Sequence, residues 1–109
     1  MELNNIILTE RIKIKFAKIF KFLEFWQCNF KMNKILRACK ELLTIFKIFN
    51  LQKYEPALIK MQNDLETLNM EDKDRRLNIY HETYQLYSNV LSELNYRFKE
   101  ELKKEVCLR

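Results

Sequence analysis

The fold is decided by residues 77–98, whose sequence is LNIYHETYQLYSNVLSELNYRF. Large apolar or aromatic side chains recur in this stretch every three or four residues without interruption. This spacing places them on one face of an α-helix, as in the seam of a coiled coil. The pattern predicts a long C-terminal helix over about 73–106, roughly 50 Å long at 1.5 Å per residue. The seam consists of Leu77, Tyr80, Tyr84, Tyr87, Leu91, Leu94 and Phe98.

The composition favours helices over the whole chain. Its 109 residues include no glycine and one proline, and 48% of them are apolar. Without glycine the chain lacks the tight hairpin turns of a β-sandwich or barrel. It also lacks the glycine-rich loops that bind phosphates and dinucleotides. A chain of this length buries enough surface for one core, so we predict a single all-α domain.

The first half of the chain contains two apolar stripes in different helical phases. The change of phase predicts helices over about 10–28 and 33–49 with a turn at Cys28–Asn33. An unbroken helix over 10–49 is the alternative. The first stripe is Ile12, Phe16, Ile19, Leu23, Trp26 and Phe30, and the second is Met32, Ile35, Cys39, Leu42, Phe46 and Phe49.

Particular residue types mark the ends of the predicted helices. Side chains with a short polar group cap helix starts, and asparagine ends a helix by adopting a left-handed conformation. Proline suits the first helical turn because its fixed φ is already helical. The predicted end residues are Asn5 or Thr9 before the first helix, Asn50 after the second, Pro56 at the start of a third helix (about 56–69), and Asp72 or Asp74 before the fourth.

The lengths of these helices constrain how they assemble. The third helix would be roughly 20 Å long, so it can cover less than half of the C-terminal seam. The rest of the seam must pack on the first two helices or on another chain. We therefore predict an antiparallel four-helix bundle with a long C-terminal helix, completed within one chain or by homodimerisation. The expected partner or dimer interface is Tyr80, Tyr84, Tyr87, Leu91, Leu94 and Phe98, because tyrosine suits a subunit interface.

The positive charge lies in the first half of the chain. The net charge is +5, and residues 1–50 carry the whole excess. In the first helix, basic residues alternate with Ile14, Phe22 and Phe25, a pattern that suits nucleic acid because lysines neutralise phosphates and rings stack on bases. An anionic membrane surface, an acidic protein or the acidic second half of the chain would also suit these cations. The candidate nucleic-acid contacts are Arg11, Lys15, Lys18 and Lys21.

One short motif suggests catalysis. Four residues separate Arg76 from His81, and five separate Arg75 from His81. This spacing resembles the R-x4-6-H signature of HEPN-domain ribonucleases, which are small, all-helical and often dimeric. The resemblance implies that the arginine and histidine of two chains meet in a cleft and cleave RNA without a metal. The alternative interpretation of His81 is a surface histidine beside a charged turn.

The sequence predicts no metal site and no cofactor. His81 is the single histidine, and the cysteines Cys28, Cys39 and Cys107 have no paired spacing. A zinc site would need ligands from several distant helices. The odd cysteine count and the absence of a recognisable secretion signal lead us to expect a reduced, cytoplasmic setting. No uncharged stretch approaches the ~20 residues of a spanning helix.

These features together favour a function in binding. We expect a small helical protein that binds another protein without catalysis, as an adaptor, an inhibitor or an immunity-type protein. The alternatives are a nucleic-acid-binding protein that uses the basic first half, and a HEPN-like ribonuclease that uses Arg76 and His81.

Overall fold

The protein is all-helical, as the sequence predicts. The computed structural model describes residues 2–25, 32–69 and 71–107, with side chains described for 6–24, 32–69 and 71–104. These ranges contain no strand. The helices are α1 (Glu2–Phe25), α2 (Met32–Ile48), α3 (Glu55–Glu66) and α4 (Lys73–Cys107), and a 3₁₀ turn (Gln52–Tyr54) precedes α3.

Each helix packs against two others. Both α1 and α3 lie against α2 and α4. The ring contacts show that α1 and α4 are antiparallel: the centroid of Phe16 lies 5.1 Å from that of Tyr87, whereas Phe20, one turn later in α1, lies 5.4 Å from Tyr80. Apolar side chains from all four helices form one core between them.

The packing of α1 on α2 excludes the unbroken helix over 10–49. Lys15 of α1 forms an ion pair with Glu41 of α2, and the two helices pack against each other. A continuous helix cannot make such contacts, so the chain reverses between them. Asn33, placed in the predicted turn, already belongs to α2, and residues 26–31 lie outside the described residues.

Helix α1 begins earlier than the sequence predicts. It starts at Glu2 instead of about residue 10, so Asn5 and Thr9 lie inside the helix and the prediction that one of them caps it is wrong. The reason is Leu8, which is buried one turn before Ile12 and extends the stripe. Burying a leucine contributes about 1.5–3 kcal/mol. That exceeds the weak helix propensity of asparagine or threonine, which costs up to about 0.7 kcal/mol each.

The two stripes of the first half form much of the core. Their central residues are buried, while Met32 and Phe49 at the ends of the second stripe are partly buried and pack against the core. Trp26 and Phe30 lie outside the described residues. The buried members are Ile12, Phe16, Ile19 and Leu23 in α1, and Ile35, Cys39, Leu42 and Phe46 in α2.

The buried face of α4 differs in phase from the predicted seam. Leu77 and Tyr84 are 56% and 55% exposed, so these two members of the seam are not buried within the chain. Helix α4 contacts both α1 and α3, so its most buried row faces the space between them and the tyrosine row lies to one side. The buried row is Ile79, Thr83, Leu86 and Val90, and the hydroxyl of Thr83 donates to the carbonyl of Ile79 (2.7 Å).

The start of α1 covers the C-terminal half of α4. Ile6 and Leu8 line a cleft with Leu94 and Phe98. Leu94 packs against the core, and both Leu94 and Phe98 are half-buried. The early turns of α1 therefore provide a cover that the predicted, shorter helix could not have provided.

The helix ends largely follow the predicted residue types. Asn50 adopts a left-handed conformation with φ of 57° after α2, and the carboxylate of Asp72 accepts a hydrogen bond from the backbone N–H of Arg75 (2.9 Å). Pro56 lies in the first turn of α3, one residue after its start at Glu55. Helix α3 ends at Glu66, earlier than the predicted residue 69. The hydroxyl of the next residue, Thr67, donates to the carbonyl of Asn63 in the last turn of the helix (3.2 Å).

Arg97 ties α4 to the end of α2. Its guanidinium donates to the carbonyls of Phe49 (2.6 Å) and Asn50 (2.7 Å) and lies 3.3 Å from the carboxylate of Glu93. The last carbonyls of a helix have no partner within it. Arg97 supplies that partner and fixes the turn between α2 and α3 against α4.

We expect Leu94→Lys to lower the thermal midpoint of unfolding by several degrees. Leu94 packs against the core of its own chain, and the substitution would place a charge there without a partner. Circular dichroism melting measures the effect, and Lys99→Gln on the same helix is the control because Lys99 is exposed. A variant with an unchanged midpoint would contradict the packing of Leu94 within the chain.

Candidate functional site

Basic residues of α1 and α2 line a common groove, which we call the basic groove. One wall comes from each of these two antiparallel helices, and both walls carry cations that line the same opening. The sequence places Lys15, Lys18 and Lys21 on one side of α1, and the structure adds Lys34 and Arg37 from α2.

Lys34 and Arg37 were missed by the sequence analysis. They have the same three-residue spacing as the cations of α1, but the face of α2 that borders α1 is known only from the packing. Arg11, the fourth predicted contact, lies farther along the α1–α2 border, where it lines the continuing groove with Ile14 and Ile48.

Glu41 is the one acidic residue among the described residues that line the basic groove. Its carboxylate pairs with the ammonium of Lys15. The pKa of Glu41 is lowered, chiefly by its hydrogen bond from Lys15 and further by the positive charges of Lys15, Lys18 and Arg37. The groove therefore favours negative charge, and Glu41 neutralises part of its field.

The floor of the basic groove is apolar and has no described aromatic ring. It consists of Ile35 and Ala38, both buried. Phe22 is buried in the core, so the prediction that its ring alternates with the cations at the surface is wrong. The stripe on α1 is wide enough to include Phe22 beside Leu23. The side chain of Phe25 lies outside the described residues.

Exposed isoleucines form a second surface at one end of the molecule. Ile6, Ile14 and Ile48 are 54%, 53% and 65% exposed. Ile48 connects two depressions: one also contains Ile14 and Ile45, and the other is the cleft that contains Ile6, Leu94 and Phe98. We call Ile6, Ile14, Ile45 and Ile48 the isoleucine surface. Its rim carries charges of both signs, from Glu10, Arg11, Lys15, Glu41, Arg97 and Glu101.

The predicted tyrosine interface lies along the border of α4 with α1. Tyr80, Tyr84 and Tyr87 all contact the ring of Phe20, with centroids 5.4–6.1 Å away. Tyr80 and Tyr87 are half-buried by this packing, whereas Tyr84 remains mostly exposed. Leu91, farther along α4, is also half-buried. The tyrosines thus form an intramolecular cluster with one outward member.

Tyr80 is also fixed by a polar contact. Its hydroxyl donates to the carboxylate of Glu24 on α1 (2.9 Å). The pKa of Tyr80 is raised because ionisation would lose this hydrogen bond, with smaller contributions from desolvation and from the negative charge of Glu24. Tyr80 therefore contributes both a ring contact and a hydrogen bond to the α1–α4 border.

The structure does not bring Arg76 and His81 into one cleft within the chain. Arg76 is half-buried and lines a groove with Glu24, Leu77 and Tyr80. His81 is exposed, and its ring meets the ring of Tyr80 edge-on at 6.0 Å. Five residues along a helix turn the chain by about 140°, so the two side chains leave α4 in different directions.

Cys39 is the cysteine whose side chain the structure describes. It is completely buried in α2, and burial raises the pKa of its thiol to about 12. A thiol is the unreactive form, because the thiolate is the nucleophile and metal ligand.

Among the described residues, no three His, Cys, Asp or Glu side chains lie together where they could hold a metal ion. No helix in the described ranges has both the length and the apolar character needed to cross a bilayer.

We expect the purified protein not to cleave single-stranded RNA without added metal. Within one chain Arg76 and His81 do not share a cleft, so the histidine that would move a proton and the arginine that would stabilise the phosphate charge do not meet at one phosphate. Gel analysis of labelled RNA measures cleavage, with His81→Ala and Arg76→Ala as matched variants. Metal-independent cleavage by the parent protein that both variants lose would contradict this expectation and establish the ribonuclease alternative.

Comparison with known proteins identifies no relative for this arrangement. No protein-family profile, no curated protein and no solved structure matches the chain.

Proposed function

We propose that the protein binds another protein without catalysis, and that the partner docks on the isoleucine surface. Adaptor, inhibitor and immunity-type roles all consist of such binding. The observation that carries the proposal is the exposure of Ile6, Ile14 and Ile48 in two depressions that share Ile48, one of which is the cleft of Leu94 and Phe98.

Exposed apolar surface of this kind favours association with a protein. Each of the three isoleucines is more than half exposed. Full burial of such a side chain contributes about 1.5–3 kcal/mol, so covering the exposed part of each contributes on the order of 1 kcal/mol. Isolated exposed apolar residues are ordinary at protein surfaces, but a contiguous patch with a polar rim is characteristic of interaction sites.

The cleft beside Ile48 supplies a place for an anchoring side chain. Its volume is about 410 Å³, and its apolar walls include Phe49, Leu94 and Phe98. Binding energy at protein interfaces is concentrated in a few large side chains that fill such pockets. Charges of both signs surround it, so we expect the partner to combine an apolar anchor with a mixed polar rim.

We expect Ile48→Lys to abolish retention of the partner. The substitution places a charge where the two depressions meet, and an unpaired charge in a desolvated contact is strongly unfavourable. The measurement is co-purification from the native host, comparing the parent protein, Ile48→Lys and Ile59→Lys. Ile59 lies on α3 and is 45% exposed, so it controls for the loss of an exposed isoleucine elsewhere.

The result supports the proposal only if a protein is retained in stoichiometric amount by the parent and by Ile59→Lys and is lost with Ile48→Lys. Circular dichroism melting of both variants shows whether they fold. Retention that survives Ile48→Lys in a folded protein would move the contact to another surface.

Homodimerisation through α4 is a separate proposal, supported by the exposed ring of Tyr84 beside Tyr80 and Tyr87. We expect Tyr84→Lys to lower the mass measured by light scattering, because a lysine would be desolvated at the contact. Tyr96→Lys is the control, since Tyr96 is 63% exposed on the same helix. A parent protein with the mass of one chain at every concentration would contradict the dimer.

A further inference from the structure

We propose that the basic groove is a second binding site, and that it binds the phosphate backbone of double-stranded nucleic acid without regard to sequence. The site adjoins the isoleucine surface, with which it shares Lys15 and Glu41, but the four cations that it offers to a ligand lie outside that surface. The inference rests on the number, the arrangement and the surroundings of the cations that α1 and α2 bring together.

The cations form two facing rows. Lys15, Lys18 and Lys21 follow one another every three residues on α1, so the row spans about 9 Å along the helix axis. Lys34 and Arg37 form the opposite row on α2. Packed helices lie about 8–10 Å apart, so the two rows can contact phosphates of both strands of a duplex on either side of its minor groove, which is about 6 Å wide.

The charge density of the groove matches that of a duplex. Glu41 pairs with Lys15, and among the described residues Lys18, Lys21, Lys34 and Arg37 form no ion pair, so their charges are available to a ligand. With both strands counted, a duplex presents one phosphate per about 1.7 Å of its axis, or about five over this length. An acidic protein helix has about six residues over the same 9 Å, of which two or three face the groove. A duplex therefore supplies enough negative charges for all four cations, whereas an acidic helix does not.

The floor of the groove indicates how the nucleic acid would be held. Ile35 and Ala38 provide no ring on which a base could stack, and Phe22 is buried. Sites for single strands combine cations with stacking aromatic side chains. Contacts made by lysines to phosphate carry no sequence information. The groove therefore favours duplex over single strand and treats all sequences alike.

The test uses fluorescence anisotropy with labelled duplexes of about 20 base pairs in two unrelated sequences, measured between 50 and 200 mM salt. With four phosphates neutralised, the logarithm of the binding constant should fall against the logarithm of salt with a slope of about −3.6. This corresponds to a loss of affinity of roughly 150-fold over that range. Because the site reads the backbone alone, the two sequences should bind equally.

Three variants test which residues are responsible. Lys18→Gln/Lys21→Gln removes two contacts and should reduce the slope to about −1.8. Lys103→Gln/Lys104→Gln causes the same change in net charge on α4, outside the groove, and should leave the slope unchanged. Glu41→Gln releases Lys15 and should strengthen binding, with a slope of about −4.5.

Several outcomes would overturn the proposal. Equal effects of the two double variants would show that net charge alone is responsible. Weaker or unchanged binding by Glu41→Gln would exclude Lys15 and its pairing from the site. Tighter binding of polyglutamate than of duplex at the same salt would assign the groove to an acidic protein. Tighter binding of phosphatidylserine vesicles would assign it to a membrane surface.

Discussion

The burial of one stripe on α1, from Leu8 to Leu23, is the contact on which the remaining structure depends. This stripe packs α1 against α2 and α4 at the same time. On the side of α2 it aligns two rows of cations, and on the side of α4 it places Phe20 against three tyrosines. At its beginning it covers Leu94. Both candidate surfaces therefore depend on the packing of α1, which also supplies residues to each of them.

The spacing of apolar residues predicted the buried faces of α1 and α2 well, because each helix buries one uninterrupted stripe. It failed for α4, which packs between two helices and turns Ile79 and Val90 inward while the larger Tyr84 remains exposed. The start of α1 was missed for another reason. Asn5 and Thr9 resemble caps in isolation, but the burial of Leu8 outweighs that local preference.

The candidate surfaces were predictable only where they lie on a single helix. Lys15, Lys18 and Lys21 share a side of α1 that helical spacing alone reveals. The addition of Lys34 and Arg37 depends on which face of α2 borders α1, and this is a property of the packing. The isoleucine surface combines positions from α1 and α2 that are more than thirty residues apart in the sequence, and no local pattern connects them.

The contacts of Arg97 also bear on which partner side chains would fit the cleft under the proposed docking. Arg97 stands in the cleft wall, yet its guanidinium is already held by two carbonyls and Glu93. The charge of Arg97 is therefore largely compensated within the protein, so an anionic group on a docked partner would gain little electrostatic attraction from it. The rotamer of Arg97 is already fixed in the unbound protein, so docking would cost little side-chain entropy at this residue. The wall of the cleft at Arg97 is thus pre-organised, and under the proposed docking it would discriminate between partners by shape.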